Sequence, residues 1–285
     1  MAVLACSIDG VIQSAPFPLS RAVQFGDGLF ETIAVIRGQP LFWAEHLARL
    51  RRGAELLGID LLDDAQLLTY WQQLQRALSQ AETPAALVLK IVLARREGAG
   101  YATPPASPGE LLFILQDWPQ RPAAYWQEGV AAGLSMVPLQ SGAPYLTLKS
   151  LNRLNQIMAR RGLPPDWQEA VLCDREGFLR EGIQSNLFWR QGAQIFTPDL
   201  GDGGVTGIQL SAILQRLATW GWQVHRLRLA PPALLVAEEI FFCNSLIGFW
   251  PVRRWQEREL PGASGTLAQR LADWHRQLGL FPEAA

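Results

Sequence analysis

Lysine is almost missing from this chain. Of its 25 basic residues only Lys90 and Lys149 are lysines, so the other 23 are arginines. A guanidinium stays protonated and cannot serve as an amine nucleophile, so any covalent amine chemistry falls to those two residues. Cysteine is scarce as well. Cys6, Cys173 and Cys243 are odd in number and far apart, which argues against a disulfide framework or a thiolate metal site and reads as free thiols in a reducing compartment. Cys173 and Cys243 fall in apolar runs, as small buried hydrophobes do. The three histidines, His46, His225 and His275, lack ligand spacing and read as structural or surface residues. No apolar run is long enough to span a bilayer. Val3-Leu4-Ala5-Cys6 has the outline of a lipoprotein cleavage box, yet no basic n-region and no sufficient apolar segment precedes it. A cytoplasmic location is expected. Net charge is −1, with 18% charged residues, which gives no global attraction to nucleic acid or anionic membrane. Local arginine clusters can still hold a small anion.

What the chain does have is apolar mass. Its 285 residues are 49% hydrophobic and include 11 tryptophans, enough for two domains around separate cores. The turn-rich stretch 116–122 divides an N-terminal α/β domain, 1–117, from a C-terminal α+β domain, 122–285. In the first, strand patterns at 31–36, 87–93 and 110–115 accompany helices at about 44–58 and 64–80, with Arg37-Gly38 as a hairpin turn and Gly58 as a helix stop. A loop rich in small residues runs from Arg95 to Pro108. In the second, strands are expected near 129–138, 169–173, 186–190, 194–197 and 239–243. Helices are expected at about 151–161, 207–219 and 265–278. Strands and helices intermix without a strict βαβ rhythm, so the class is α+β.

Two places invite chemistry. Lys149 stands at the junction of the turn-rich Ser141-Gly142-Ala143-Pro144 and a helical pattern, where an amine can face a cleft. Lys90 lies inside a strand pattern and reads as a strand lysine, stem packed and head in water. The run Gly201-Asp202-Gly203-Gly204-Val205-Thr206-Gly207 leads into a helix. Glycines allow close approach and the helix N-terminus presents unpaired N–H groups, which together suit a phosphate. The run matches neither the P-loop nor the Gly-x-Gly-x-x-Gly fingerprint, and a plain capped loop is the alternative. Alone, Arg49 is a solvated helix residue, Glu181 before Gly182 a turn carboxylate, and Ser245 the closure of a turn.

Taken in order, five segments form a set. They are Arg21-Ala22-Val23-Gln24-Phe25-Gly26-Asp27-Gly28-Leu29-Phe30-Glu31-Thr32, Glu45-His46-Leu47-Ala48-Arg49-Leu50, Leu148-Lys149-Ser150-Leu151-Asn152-Arg153-Leu154, Glu181-Gly182-Ile183-Gln184-Ser185-Asn186-Leu187-Phe188, and the Gly-Val-Thr-Gly turn. From about residue 20 to 252 this set resembles the fold-type IV pyridoxal-phosphate enzymes, which include branched-chain and D-amino-acid aminotransferases. The Lys149 segment and Cys243-Asn244-Ser245-Leu246-Ile247-Gly248 look most like the aminodeoxychorismate lyases. The resemblance implies a two-domain fold of the D-amino-acid aminotransferase kind and a C-terminal domain that binds pyridoxal 5′-phosphate. It implies Lys149 as the lysine that takes the cofactor, Glu181 as partner of its pyridine nitrogen, and Arg49, the Val205 and Thr206 amides and Ser245 as the phosphate cradle. A tyrosine that follows the lysine in branched-chain aminotransferases aligns with Leu154, which weakens the aminotransferase reading.

The implied reaction converts 4-amino-4-deoxychorismate to 4-aminobenzoate and pyruvate, on the route to folate, with Lys149 as catalytic base and Thr32 facing the cofactor. The substrate is a dicarboxylate, so Arg95, Arg96 and Arg153 are its candidate holders. A homodimer is implied too. The rivals are an aminotransferase of the same fold and, in another class, a non-catalytic small-anion-binding protein using the 201–207 loop. No metal site is expected.

Overall fold

The computed structural model describes residues 3–13, 21–78, 84–96, 98, 100–104 and 107–280. It divides into two units, residues 1–120 with 148–152, and residues 121–147 with 153–285. Positions 79 and 80 of the second expected helix, and 97, 99, 105 and 106 of the expected loop, lie outside the described residues.

Period-2 alternation builds the first unit. Its strands are β1 (Val3–Ile8), β2 (Val11–Gln13), β3 (Gly28–Ile36), β4 (Gln39–Pro40), β5 (Ala86–Arg95) and β6 (Gly109–Asp117). Among the described residues they form an antiparallel sheet in the order β2-β1-β6-β5-β3-β4. Successive strand residues point to opposite faces. Leu29, Ile33, Val35, Leu87, Leu89, Ile91, Leu93, Phe113 and Leu115 therefore share one core. That core packs on α2 (Trp43–Leu57) through Leu47, Leu50 and Ala54, and on α3 (Asp64–Ala77) through Leu67, Trp71 and Leu74. A short α1 covers Arg21–Phe25. Asp63 and Gln66 close a capping box on α3, and Gly58, left-handed at φ 62°, ends α2. Arg37 and Gly38 both take positive φ, which matches the twist of a two-residue hairpin.

The segment 148–152 belongs to this unit, unlike a division of the chain into contiguous halves. Ser150 bridges Leu29, the Phe30 amide donates to the Lys149 carbonyl (2.9 Å), and the Leu151 amide donates to the Gly28 carbonyl (3.0 Å). Residues 151–153 are thereby taken out of the expected helix, which begins only at Leu154.

In the second unit the strands are β7 (Val130–Leu134), β8 (Glu169–Cys173), β9 (Leu179–Gly182), β10 (Asn186–Gln191), β11 (Gln194–Pro198), β12 (Gln223–Leu227), β13 (Glu239–Asn244), β14 (Gly248–Trp255) and β15 (Arg258–Glu259). They follow the order β12-β11-β10-β13-β14-β7-β8-β9, with β15 on β14, and mix parallel with antiparallel pairs. One face carries Leu187, Trp189, Ile240, Phe242, Trp250 and Val252. The other packs Phe188, Phe241, Cys243 and Phe249 against α6 (Ile208–Thr219) and α7 (Thr266–Leu278). Two smaller helices, α4 (Ala124–Gln127) and α5 (Leu154–Arg161), complete it. The mixed sheets and segregated helices make the chain an α+β protein. The described cysteines are free, Cys243 buried and Cys173 half-buried. Among the described residues no helix is long and apolar enough to cross a membrane.

His275 on α7 is fully buried, its Nδ1 donating to the Leu271 carbonyl (2.8 Å) and its Nε2 facing Gln209 Nε2 (2.8 Å). Burial lowers its pKa from 6.5 to about 4, against the Leu271 bond, which raises it. The unfolded chain then binds the proton more readily than the fold between those values, so stability falls as pH drops from about 6.5 to about 4. The loss should approach about 3 kcal/mol. Urea unfolding at both ends of that window should show this slope, and His275→Gln should flatten it.

Candidate active site

In the first unit the two lysines meet on one ring. Lys149 Nζ lies 4.3 Å from the Phe30 ring centroid and Lys90 Nζ lies 5.2 Å from the same centroid. The expectation that Lys90 holds its head in water is corrected by this contact. The reason is register: Thr32 pairs with Lys90 across β3 and β5, and Phe30 is two residues from Thr32, so all three share the sheet face opposite the Leu29–Ile33 core. Both lysines and Thr32 are half-buried. Burial lowers the Lys90 pKa, and among the described residues Lys90 makes no ion pair.

Arg49 is not a solvated helix residue. Its Nε and Nη2 donate to Glu31 Oε1 (2.8 Å) and Oε2 (2.5 Å), while His46 Nδ1 meets Glu31 Oε2 at 2.6 Å. Glu31 is buried, which raises its pKa, but the charge and hydrogen bond of Arg49 and then His46 outweigh that and bring it to about 2. An ionised carboxylate only accepts, so His46 Nδ1 carries the proton. Burial holds the His46 imidazole below its ordinary value, with the Glu31 bond opposing and the charges of Arg49 and Lys149 adding to the lowering.

The two loop arginines are differently occupied. Arg95 is buried, its Nε donating to Asp27 (3.0 Å), Nη1 to the Gly58 carbonyl (2.9 Å) and Nη2 to the Leu57 carbonyl (2.5 Å). With every guanidinium nitrogen spent on the fold, Arg95 is corrected from substrate holder to scaffold. Exposed Arg96 pairs with Asp9.

In the second unit, Glu181 lies on strand β9 rather than in a turn, fully enclosed with its neighbours. Its Oε2 accepts the Val205 amide at 2.7 Å. That amide was expected to face a phosphate; instead Gly204, at φ 94°, turns it onto the carboxylate. Arg180, beside Glu181 and 2% exposed, anchors the glycine loop. Its Nη2 donates to Asp174 (2.6 Å) and its Nη1 to Asp202 (2.5 Å) and the Asp199 carbonyl (3.0 Å). Asn186, which sequence reasoning did not assign, donates to the Val205 carbonyl (2.8 Å). A Cβ on Gly207 would lie 2.0 Å from the Asn186 Oδ1. Gly207 caps α6 with no side-chain hydrogen bond, and Thr206 before it is exposed. Ser245 sits in the β13–β14 turn, shaped by Asn244 Oδ1 accepting the amides of Leu246 (2.9 Å) and Ile247 (3.0 Å). Arg153 is half-buried at the N-cap of α5.

Residues 28–255 match the family model of amino-transferase class IV, and the chain belongs to that family. Within it, the chain is 28% identical over 260 residues to the aminodeoxychorismate lyase of Vibrio harveyi, covering 88% of this chain and 92% of that one. Identity to the Bacillus subtilis aminodeoxychorismate lyase is 27% over 256 residues, 89% and 86% of the two chains. The crystal structure of 4-amino-4-deoxychorismate lyase from Pseudomonas aeruginosa superposes at a TM-score of 0.86 with 33% identity, over 97% of this chain and all of that one. The family's cofactor is pyridoxal 5′-phosphate, and the residues fit it by their chemistry. There is a half-buried amine, an enclosed carboxylate, and a helix start whose Gly207 leaves no room for a Cβ.

Arg180→Met should cost up to about 3–5 kcal/mol, because it leaves the buried Asp174 charge only the longer 3.7 Å contact of Arg228 and two backbone amides. Chemical denaturation of both proteins measures this directly, with Asp202 and its loop expected to loosen in hydrogen exchange.

Proposed function

We propose that the protein is a pyridoxal-phosphate lyase that converts 4-amino-4-deoxychorismate to 4-aminobenzoate and pyruvate. The observation that carries this reading is the end-to-end similarity to the Pseudomonas aeruginosa lyase. Exposed Leu154, where branched-chain aminotransferases place a tyrosine, supports it against transamination.

When bound, the cofactor supplies an electron sink for charge developing on the carbon beside the substrate nitrogen. Lys149 Nζ would be the amine that holds it, and would be freed when substrate binds. Glu181 keeps a proton on the pyridine nitrogen, and the Val205 amide fixes that carboxylate's orientation. Thr206 and Ser245 would hold the phosphate at the start of α6, where N–H groups and the helix dipole favour an anion, and Arg49 is a further candidate by the family resemblance. Released Lys149 Nζ takes the proton from the amine-bearing ring carbon and returns one to the departing enolpyruvyl carbon, so the ring becomes aromatic as the C–O bond breaks. Thr32 lines the same sheet face. Lys90 offers its charge to a substrate carboxylate, with Arg153 as the second candidate.

The apolar residues Leu154, Ile157 and Met158, exposed at helical spacing on α5, support a homodimer, and the composition supports a cytoplasmic enzyme. Sedimentation equilibrium should return twice the 31.6 kDa chain mass; a single chain mass rejects the dimer.

The lyase should release pyruvate from 4-amino-4-deoxychorismate with no keto acid added, whereas an aminotransferase needs an acceptor. Lys149→Ala should lower turnover by about 10²–10⁴-fold or more, and borohydride should trap the cofactor on Lys149. Lys90→Met should raise KM about tenfold or more with a smaller change in kcat, as for a lost charged hydrogen bond. Colourless protein indifferent to Lys149→Ala would mark a non-catalytic anion binder.

A further inference from the structure

We propose that Lys90 is a positioning residue that acts through Lys149: its ammonium, held at the same phenyl ring, keeps the Lys149 amine short of protons and so ready to attack a carbonyl carbon. The inference rests on the reading of Lys149 as the amine that takes the cofactor.

Strand register brings the two amines together. β3 and β5 pair antiparallel, with Thr32 opposite Lys90 and Phe30 opposite Val92, and alternation puts Phe30, Thr32 and Lys90 on one face. The Phe30 amide donates to the Lys149 carbonyl (2.9 Å), which fastens the segment carrying Lys149 beside that ring. Lys149 Nζ is then 4.3 Å and Lys90 Nζ 5.2 Å from the ring centroid. The two nitrogens are therefore no more than about 10 Å apart, about one Debye length at 0.1 M salt. At an effective dielectric constant of about 20, like charges at that separation change a protonation equilibrium by about tenfold, and closer charges by more.

The other charges of this unit leave the effect standing. From α2, Arg49 is paired with Glu31 of β3 at 2.5 Å, and burial holds His46 of the same helix below its ordinary pKa. Asp27, just before β3, accepts from Arg21 (2.9 Å) and Arg95 (3.0 Å). The residues registered with Lys90, Thr32 on β3 and Ile114 on β6, are uncharged, as are Val88 and Val92 along β5. Segment 148–152 adds no charge besides Lys149. The Phe30 ring attracts an ammonium, but it attracts both, so it does not relieve the repulsion between them. Burial lowers the Lys90 pKa too; the amines titrate as a pair, and the first proton lost leaves the other more firmly held. An ordinary lysine, with a pKa of about 10.4, is almost wholly ammonium near neutral pH, and only the neutral amine attacks. A carboxylate that docks on Lys90 offsets its charge, which returns basicity to Lys149 at the step where it takes a proton.

The test uses the full chain without cofactor, as wild type, Lys90→Met and Lys90→Arg. Reductive methylation with isotopically labelled formaldehyde marks both lysines and the α-amino group, and carbon NMR follows each resonance with pH. The resonances missing from Lys90→Met and from Lys149→Ala identify the two lysines. The Lys149 midpoint should rise by about one pH unit or more in Lys90→Met, and stay at or below wild type in Lys90→Arg, which keeps the charge. No rise in Lys90→Met, or an equal rise in Lys90→Arg, would overturn the proposal. Borohydride trapping of the cofactor-loaded wild type is run in parallel. Absence of label on Lys149 rejects the reading on which the inference rests, and the inference with it. If Lys90→Met fails to fold, Lys90→Gln takes its place in the same comparison.

Discussion

Two backbone hydrogen bonds, from Phe30 to the Lys149 carbonyl and from Leu151 to the Gly28 carbonyl, fasten five residues of the second half of the chain to the first sheet. They hold the Lys149 backbone against an antiparallel sheet whose other face is closed by α2 and α3. The amine is then restrained chiefly by its own side-chain torsions. A covalent role needs that restraint, since an amine on a mobile loop would lose the benefit of a fixed approach to a carbonyl.

The second unit solves a different problem. An enclosed carboxylate is aimed by a backbone amide, and the glycine loop that supplies this amide is tethered. Arg180 ties the strand bearing Glu181 to Asp202 and the Asp199 carbonyl, and Asn186 ties its own strand to the Val205 carbonyl. Gly204 and Gly207 are required where they stand, one by a positive φ and the other by the Asn186 side chain. Buried Glu169 supports the turn after Glu181 through the Ile183 amide and the Ser185 hydroxyl. Burial raises its pKa, against those hydrogen bonds.

Much of this was legible in the residues. Helices α2, α3, α6 and α7 appear close to their expected ranges because helical periodicity is a local property. The Arg37-Gly38 hairpin was equally local. What was not legible depended on distant partners. The start of α5 moved because residues 150–151 pair with β3, more than a hundred positions earlier. Arg95 looked available because it opens a loop rich in small residues, yet Asp27 and the end of α2 consume it. Lys90 looked ordinary because nothing in its own strand reveals that Phe30 is shared with Lys149. Asn186 stood inside a quoted motif and Arg180 just before it, neither of them assigned, since their importance lies in what they tether.

The scarcity of lysine and the convergence of both lysines on Phe30 bear on how the protein can be handled. Side-chain chemistry directed at primary amines finds two targets, both half-buried and both beside one phenyl group. A succinimidyl dye would therefore report on that spot and on the chain's α-amino group rather than on the surface at large. Attachment to a solid support is better directed to carboxylates, or to a tag, if the working face is to stay open.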